Sequence, residues 1–197
     1  MIKIVLKELK EHVPFTFLGT VVGVCLLFIF HSFHLQRNIY VNFFGVLHPV
    51  HVLFSAVVTA SMYKLHGRKG IFPLVIIGYI GSVGIATLSD CLLPYVGEVL
   101  LDLPYRGLHL GFIEKWWVIN PLAFGGIVFA YFFPTTKLPH SGHVLLSTVT
   151  SLFHMQMAMG KDLTVLTMVL IGLFLFLSVW VPCCTSDIIF PLLFSRK

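Results

Sequence analysis

His48-Pro49-Val50-His51-Val52-Leu53-Phe54-Ser55-Ala56-Val57-Val58-Thr59 places two imidazoles and two hydroxyls inside an apolar run that extends from Ile39 to Tyr63. Three positions separate the histidines, and four separate His51 from Ser55 and Ser55 from Thr59. On a helix these four polar side chains share one stripe. A soluble helix could turn such a stripe to water, but a membrane span must turn it toward a bundle interior or a wet cavity. The start of the pattern returns 92 positions later as His140-Ser141-Gly142-His143-Val144-Leu145-Leu146-Ser147, prolonged by Ser151 and His154.

A second pair of motifs follows these two. Thr87-Leu88-Ser89-Asp90 has Pro94 four residues on, and Cys184-Thr185-Ser186-Asp187 has Pro191 four residues on. His48 precedes Asp90 by 42 positions and His140 precedes Asp187 by 47. The recurrence points to a duplicated unit with a duplicated polar site. It predicts one integral membrane domain over 1–197, with internal repeats of about 12–97 and 115–194.

Composition fixes the solvent. Apolar residues make up 57% of the chain and charged residues 11%, and the mean hydropathy is +0.95; a water-exposed surface needs more charge than this. Apolar runs over 13–30, 39–63, 71–86, 116–133, 144–159 and 163–181 predict six spans, three in each repeat. Because three is odd, the second copy enters from the opposite face, so the expected fold is an all-α polytopic membrane protein with two inverted three-helix repeats. Pro94 and Pro191 each lack a backbone donor, which predicts broken or re-entrant segments near the Ser-Asp motifs.

No signal-peptide cleavage pattern ends the first apolar stretch. Residues 2–10 suit either an interfacial amphipathic helix or an extension of span one. With the N-terminus inside, nine Lys/Arg fall on the inner side and four on the outer. That bias predicts cytoplasmic N- and C-termini in a prokaryotic cytoplasmic membrane. It also accounts for the formal charge of +5 as membrane-flanking anchors, so no nucleic-acid partner is expected.

Two imidazoles at i and i+3 with a carboxylate from another segment make a three-ligand set for a divalent metal. The expected ligands are His48, His51 and Asp90 in one copy, and His140, His143 and Asp187 in the other. Zinc is favoured over manganese because imidazoles dominate the set. Ser55, Thr59, Ser89, Ser147, Ser151, Cys183, Cys184 and Ser186 are expected to line the path or support the ligands. Glu98, Asp102, His109 and Glu114 read as a solvated, charged connection between spans three and four.

No glycine-rich phosphate loop, nucleophile elbow or His-Glu-x-x-His pattern occurs. The leading expectation is divalent metal-ion transport, with proton coupling open. A metal-dependent membrane hydrolase is the alternative, and a metal-free polar packing network is a third reading. Lipid and a divalent cation are the expected partners, and homo-oligomer formation is left open.

Overall fold

A computed structural model describes residues 2–33, 35–66, 70–135, 137–160, 164–185 and 189–195, with side chains at all of these except 2–9, 11, 12, 31, 137–141, 184 and 195. The chain forms helices α1 (Ile2–Ser32), α2 (Arg37–His66), α3 (Ile71–Leu100), α4 (Gly111–Glu114), α5 (Trp116–Phe132), α6 (Lys137–Ala158), α7 (Val165–Cys184) and α8 (Phe190–Ser195). Among the described residues there is no strand.

Among the described residues, four helical stretches are long and apolar enough to cross a membrane: Val13–Phe30 in α1, α2, α3, and Val165–Cys183 in α7. Helices are the natural solution here, since each backbone donor finds its acceptor within the same segment. On α1 and α7 one face carries exposed Phe17, Leu18, Leu166, Leu173 and Leu177, while Leu27, Ile171 and Leu175 turn inward and pack together. Large apolar side chains on an outer face are the mark of a lipid-facing surface rather than a wet one. The chain is therefore an all-α membrane protein.

This architecture corrects the expectation of six spans in two inverted three-helix repeats. α5 has 17 residues, which at ~1.5 Å per residue falls short of the roughly 30 Å hydrocarbon layer. α6 is long enough, but His143, Ser147, Thr148, Thr150, Ser151, His154 and Gln156 make it too polar to qualify on composition. With four qualifying helices, the odd-number argument for inversion falls away.

The expected break at the first Ser-Asp motif is also overturned. α3 runs on through Ser89 and Asp90, with two π-helical stretches at Ile80–Gly84 and Leu88–Leu92. A π turn inserts one extra residue without ending the helix. The second stretch lies just ahead of Pro94, which has no N–H to return to the preceding turn. The proline is absorbed by a change of helical register, not by a break. The second Ser-Asp motif lies outside the described residues.

α2 is the hub, packing against α6, α5 and α3, while α1 packs against α7 and α6. Two glycines set the closeness of this packing. A Cβ on Gly126 would come within 2.6 Å of the Leu53 carbonyl oxygen, and one on Gly81 within 2.6 Å of Thr59 Cγ2. Small residues at such crossings let helix backbones approach where no hydrophobic force from water drives them together. The polar stripe of α2 is thereby held in the bundle interior, facing α3.

Candidate metal centre

The π stretch of α3 decides where Asp90 points. In a regular helix, neighbours i and i+1 diverge around the axis, yet Ser89, Asp90 and Cys91 are all fully buried. The inserted residue brings Ser89 and Asp90 to bear on the same interior. Asp90 Oδ2 accepts from His48 Nδ1 at 3.0 Å and from His51 Nδ1 at 2.6 Å. Its Oδ1 accepts from Ser89 Oγ at 2.9 Å and from Ser147 Oγ at 2.8 Å. Ser151 Oγ donates to the Ser89 carbonyl at 3.0 Å, the oxygen five residues ahead of the donorless Pro94.

Magnitudes explain why a carboxylate survives at this depth. Inserting Asp at the centre of a span costs roughly 2.5–3.5 kcal/mol. Hydrogen bonds to a charged group contribute about 1.5–3 kcal/mol each, so four of them offset the insertion cost. All four donors are themselves buried. The network rigidifies the junction of α2, α3 and α6.

The histidines extend the centre beyond this carboxylate. His51 stacks on His143 of α6, with ring centroids 5.5 Å apart and planes within 10°. The ligand atoms of His48, His51 and Asp90 all lie within 4.8 Å of one another, and so do those of His51, His143 and Cys183. His51 belongs to both groups. Five side chains with metal-ligating atoms, from four helices, thus form one continuous cluster of nitrogen, oxygen and sulfur donors that can hold a divalent metal.

An imidazole that donates through Nδ1 keeps its lone pair on Nε2 when neutral. Carboxylates commonly orient metal-ligating imidazoles in this way. His48 Nε2 is buried and has no hydrogen-bond partner among the described residues. It faces Gly111, where a Cβ would stand 2.8 Å from it. Tetrahedral ligands at ~2.0–2.2 Å from zinc are separated by about 3.3–3.6 Å, so the Asp90 contacts, at 3.0 Å to His48 and 2.6 Å to His51, must open by roughly 0.3–1 Å before Asp90 can itself become a ligand. In the conformation described, Asp90 is the orienting group.

A cleft of about 60 Å³ leads to His48, bordered by Phe44, His109, Gly111, Glu114 and Lys115. A single water needs roughly 10–15 Å³ by the same kind of measure, so the cleft holds several. The Phe44 ring lies parallel to His48 at 5.3 Å and forms the cleft's apolar wall.

The remaining sequence-derived residues are placed as follows. Ser55 and Thr59 are buried further along α2, with Thr59 against Gly81. The side chains of His140 and Cys184, and the whole of Ser186 and Asp187, lie outside the described residues. His143 and Ser147, from the second copy of the motif, lie with the residues of the first: His143 stacks on His51 and Ser147 bonds Asp90. Glu98 is corrected outright: it is not in a solvated connection but buried on α3, 2.7 Å from His154 Nδ1. Reading Pro94 as a break hid this, because the helix continues beyond it and carries Glu98 inward. Comparison of the chain with family models, curated proteins and solved structures finds no match.

Proposed function

We propose that the protein moves a divalent transition-metal ion across the membrane, with zinc preferred over manganese. The observation that carries this reading is the sharing of His51 between two buried ligand groups on four helices. An ion held by one group lies within a few ångströms of the other, and conduction needs sites that bind yet release to a neighbour. The donor set supports the preference: imidazole and thiolate suit zinc, whereas manganese favours oxygen donors.

Charge distribution gives the orientation. Lys3, Lys7 and Lys10 lie in α1 ahead of its apolar stretch Val13–Phe30, and Lys64, Arg68 and Lys69 lie at the end of α2 and between α2 and α3, whereas Arg37 opens α2 at its other end and Arg106 and Lys115 follow α3. Six basic residues against three support a cytoplasmic N-terminus. The C-terminus, with Arg196 and Lys197, is assigned to the same side.

The test is metal uptake into sealed liposomes, comparing the intact chain with Asp90→Asn and His51→Gln. Flux is expected to fall at least tenfold in each. Unchanged flux in both would sink the proposal. Tight Co²⁺ binding without flux would favour a metal-dependent membrane hydrolase, whose substrate would have to reach His48 through the cleft.

A further inference from the structure

A second buried pair of ionisable groups lies outside the metal centre. Glu98 and His154 are no more than 1% exposed. Glu98 Oε1 accepts from His154 Nδ1 at 2.7 Å, and Oε2 accepts from the Gly107 N–H at 3.1 Å. His154 Nε2 is buried and has no hydrogen-bond partner among the described residues. The ring of His109 meets His154 edge-on with centroids 5.6 Å apart. His109 also borders the cleft and is one-third exposed, and its Nδ1 stands 3.7 Å from Glu114 Oε1. Solvent, His109, His154 and Glu98 thus form a series running inward.

We propose that Glu98 and His154 form a proton-carrying site, loaded from the cleft through His109, and that proton movement at this pair is coupled to metal movement through the centre. The coupling rests on the transport reading; the proton site does not. Intramembrane Asp, Glu and His chains are the usual parts of proton relays.

The transfer balances without a co-reactant. A proton delivered by hydronium in the cleft forms an N–H on His109, leaving water behind, and passes to His154 Nε2 across the edge-on ring contact. The Nδ1–H bond of His154 then breaks as the Glu98 Oε1–H bond forms. The imidazole ends neutral with its proton on the opposite nitrogen, and the carboxyl ends protonated. Reversal returns one proton to the cleft.

Packing supplies the link to the metal centre. Phe44 lies parallel to His48 and meets His154 edge-on at 5.3 Å. Along α6, His154, Ser151, Ser147 and His143 follow one another at helical spacing. Of these, Ser151 and Ser147 hold Ser89 and Asp90. A change of charge on the Glu98–His154 pair therefore acts next to groups that share a helix and an aromatic wall with the ligands.

The other charged groups near the pair are peripheral. Arg37 at the start of α2 donates through Nε to the Met157 carbonyl at 3.0 Å. Arg106 pairs with exposed Asp102, and Lys115 and Glu114 border the cleft. From α7, the neighbour at this level is apolar Phe174, against Gly97.

Three measurements decide the matter. Infrared difference spectra of the purified protein between acidic and alkaline buffer should show the carboxyl signal of a buried glutamate, absent in Glu98→Gln; an identical spectrum in that variant overturns the proton site. His109→Ala leaves the buried pair intact and should slow the rise of that signal after a pH jump at least tenfold, and an unchanged rate overturns loading through His109. In liposomes carrying a pH-sensitive dye, Glu98→Gln should retain Co²⁺ binding and downhill metal flux but lose the accompanying proton flux. Persistence of that proton flux overturns the coupling. If the intact chain moves no metal, the transport reading fails and the infrared result alone decides the proton site.

Discussion

Asp90 serves four donors with two oxygens, and that arithmetic sets what a substitution does. Asparagine keeps the volume but turns one oxygen into a donor, so either the two imidazoles or the two hydroxyls would face an N–H group. We expect Asp90→Asn to lower stability by about 2–4 kcal/mol and Co²⁺ affinity by at least 10–100-fold. Thermal unfolding in detergent and Co²⁺ titration measure the two effects. Gly111→Ala separates access from ligation, because its Cβ would stand 2.6 Å from His48 Cδ2 and 2.8 Å from Nε2. It should weaken Co²⁺ binding about tenfold or more while costing only ~1–3 kcal/mol of stability; unaltered affinity would show that His48 Nε2 is not used. At this scale the first trio was legible, because imidazoles and a carboxylate inside apolar sequence have few tolerable roles. Cys183 was expected to line the path, but its grouping with His51 and His143 was not legible, since nothing in its spacing says that α7 crosses the stripe of α6.

Among the helices, α3 shows most plainly how a proline can mislead. Pro94 signals a missing hydrogen bond, and from sequence a break and a bulge are equivalent ways to accommodate it. The choice of a π stretch depends on α2 and α6, whose His48, His51 and Ser147 fix Asp90, and on Ser151, which occupies the Ser89 carbonyl. Deleting exposed Leu92 should restore regular α register and rotate Asp90 away from its partners by roughly 100°. Circular dichroism is expected to show helix content unchanged while Co²⁺ binding is lost. Retained binding would mean that the π stretch does not aim the carboxylate. The stripes on α2 and α6 were readable because three- and four-residue spacing is local, whereas the merging of both stripes on one carboxylate is a tertiary fact. α6 shows the converse limit: its hydropathy misrepresents a helix whose polar groups are satisfied inside the bundle, with Thr148 and Thr150 bonding back to Val144 and Leu146 carbonyls.

For the molecule as a whole, the outward faces of α1, α3 and α7 meet lipid, and the buried ionisable groups are gathered inside, at the Asp90 centre and the Glu98–His154 pair. Because α1, α2 and α3 each have the length and apolarity to cross, the connection after Leu100 should lie across the membrane from the N-terminus. Single cysteines at Lys3 and at exposed Asp102, in a chain whose native cysteines are replaced by serine or alanine, should be labelled from opposite faces. Labelling of both from one face would require α1, α2 or α3 not to cross. Composition disclosed the membrane solvent at once, whereas the number of qualifying spans depended on where polar helices are sheltered.

That sheltering has a consequence for how the protein is made. α6 is too polar to partition into lipid alone, and the surfaces that satisfy it belong chiefly to α2, α1 and α3, all of which leave the ribosome earlier. Synthesis from the N-terminus therefore prepares a cradle before its occupant emerges. A chain with α2 and α6 exchanged in order would present the polar helix to bare lipid, with every final contact still available but no partner waiting at the moment of insertion.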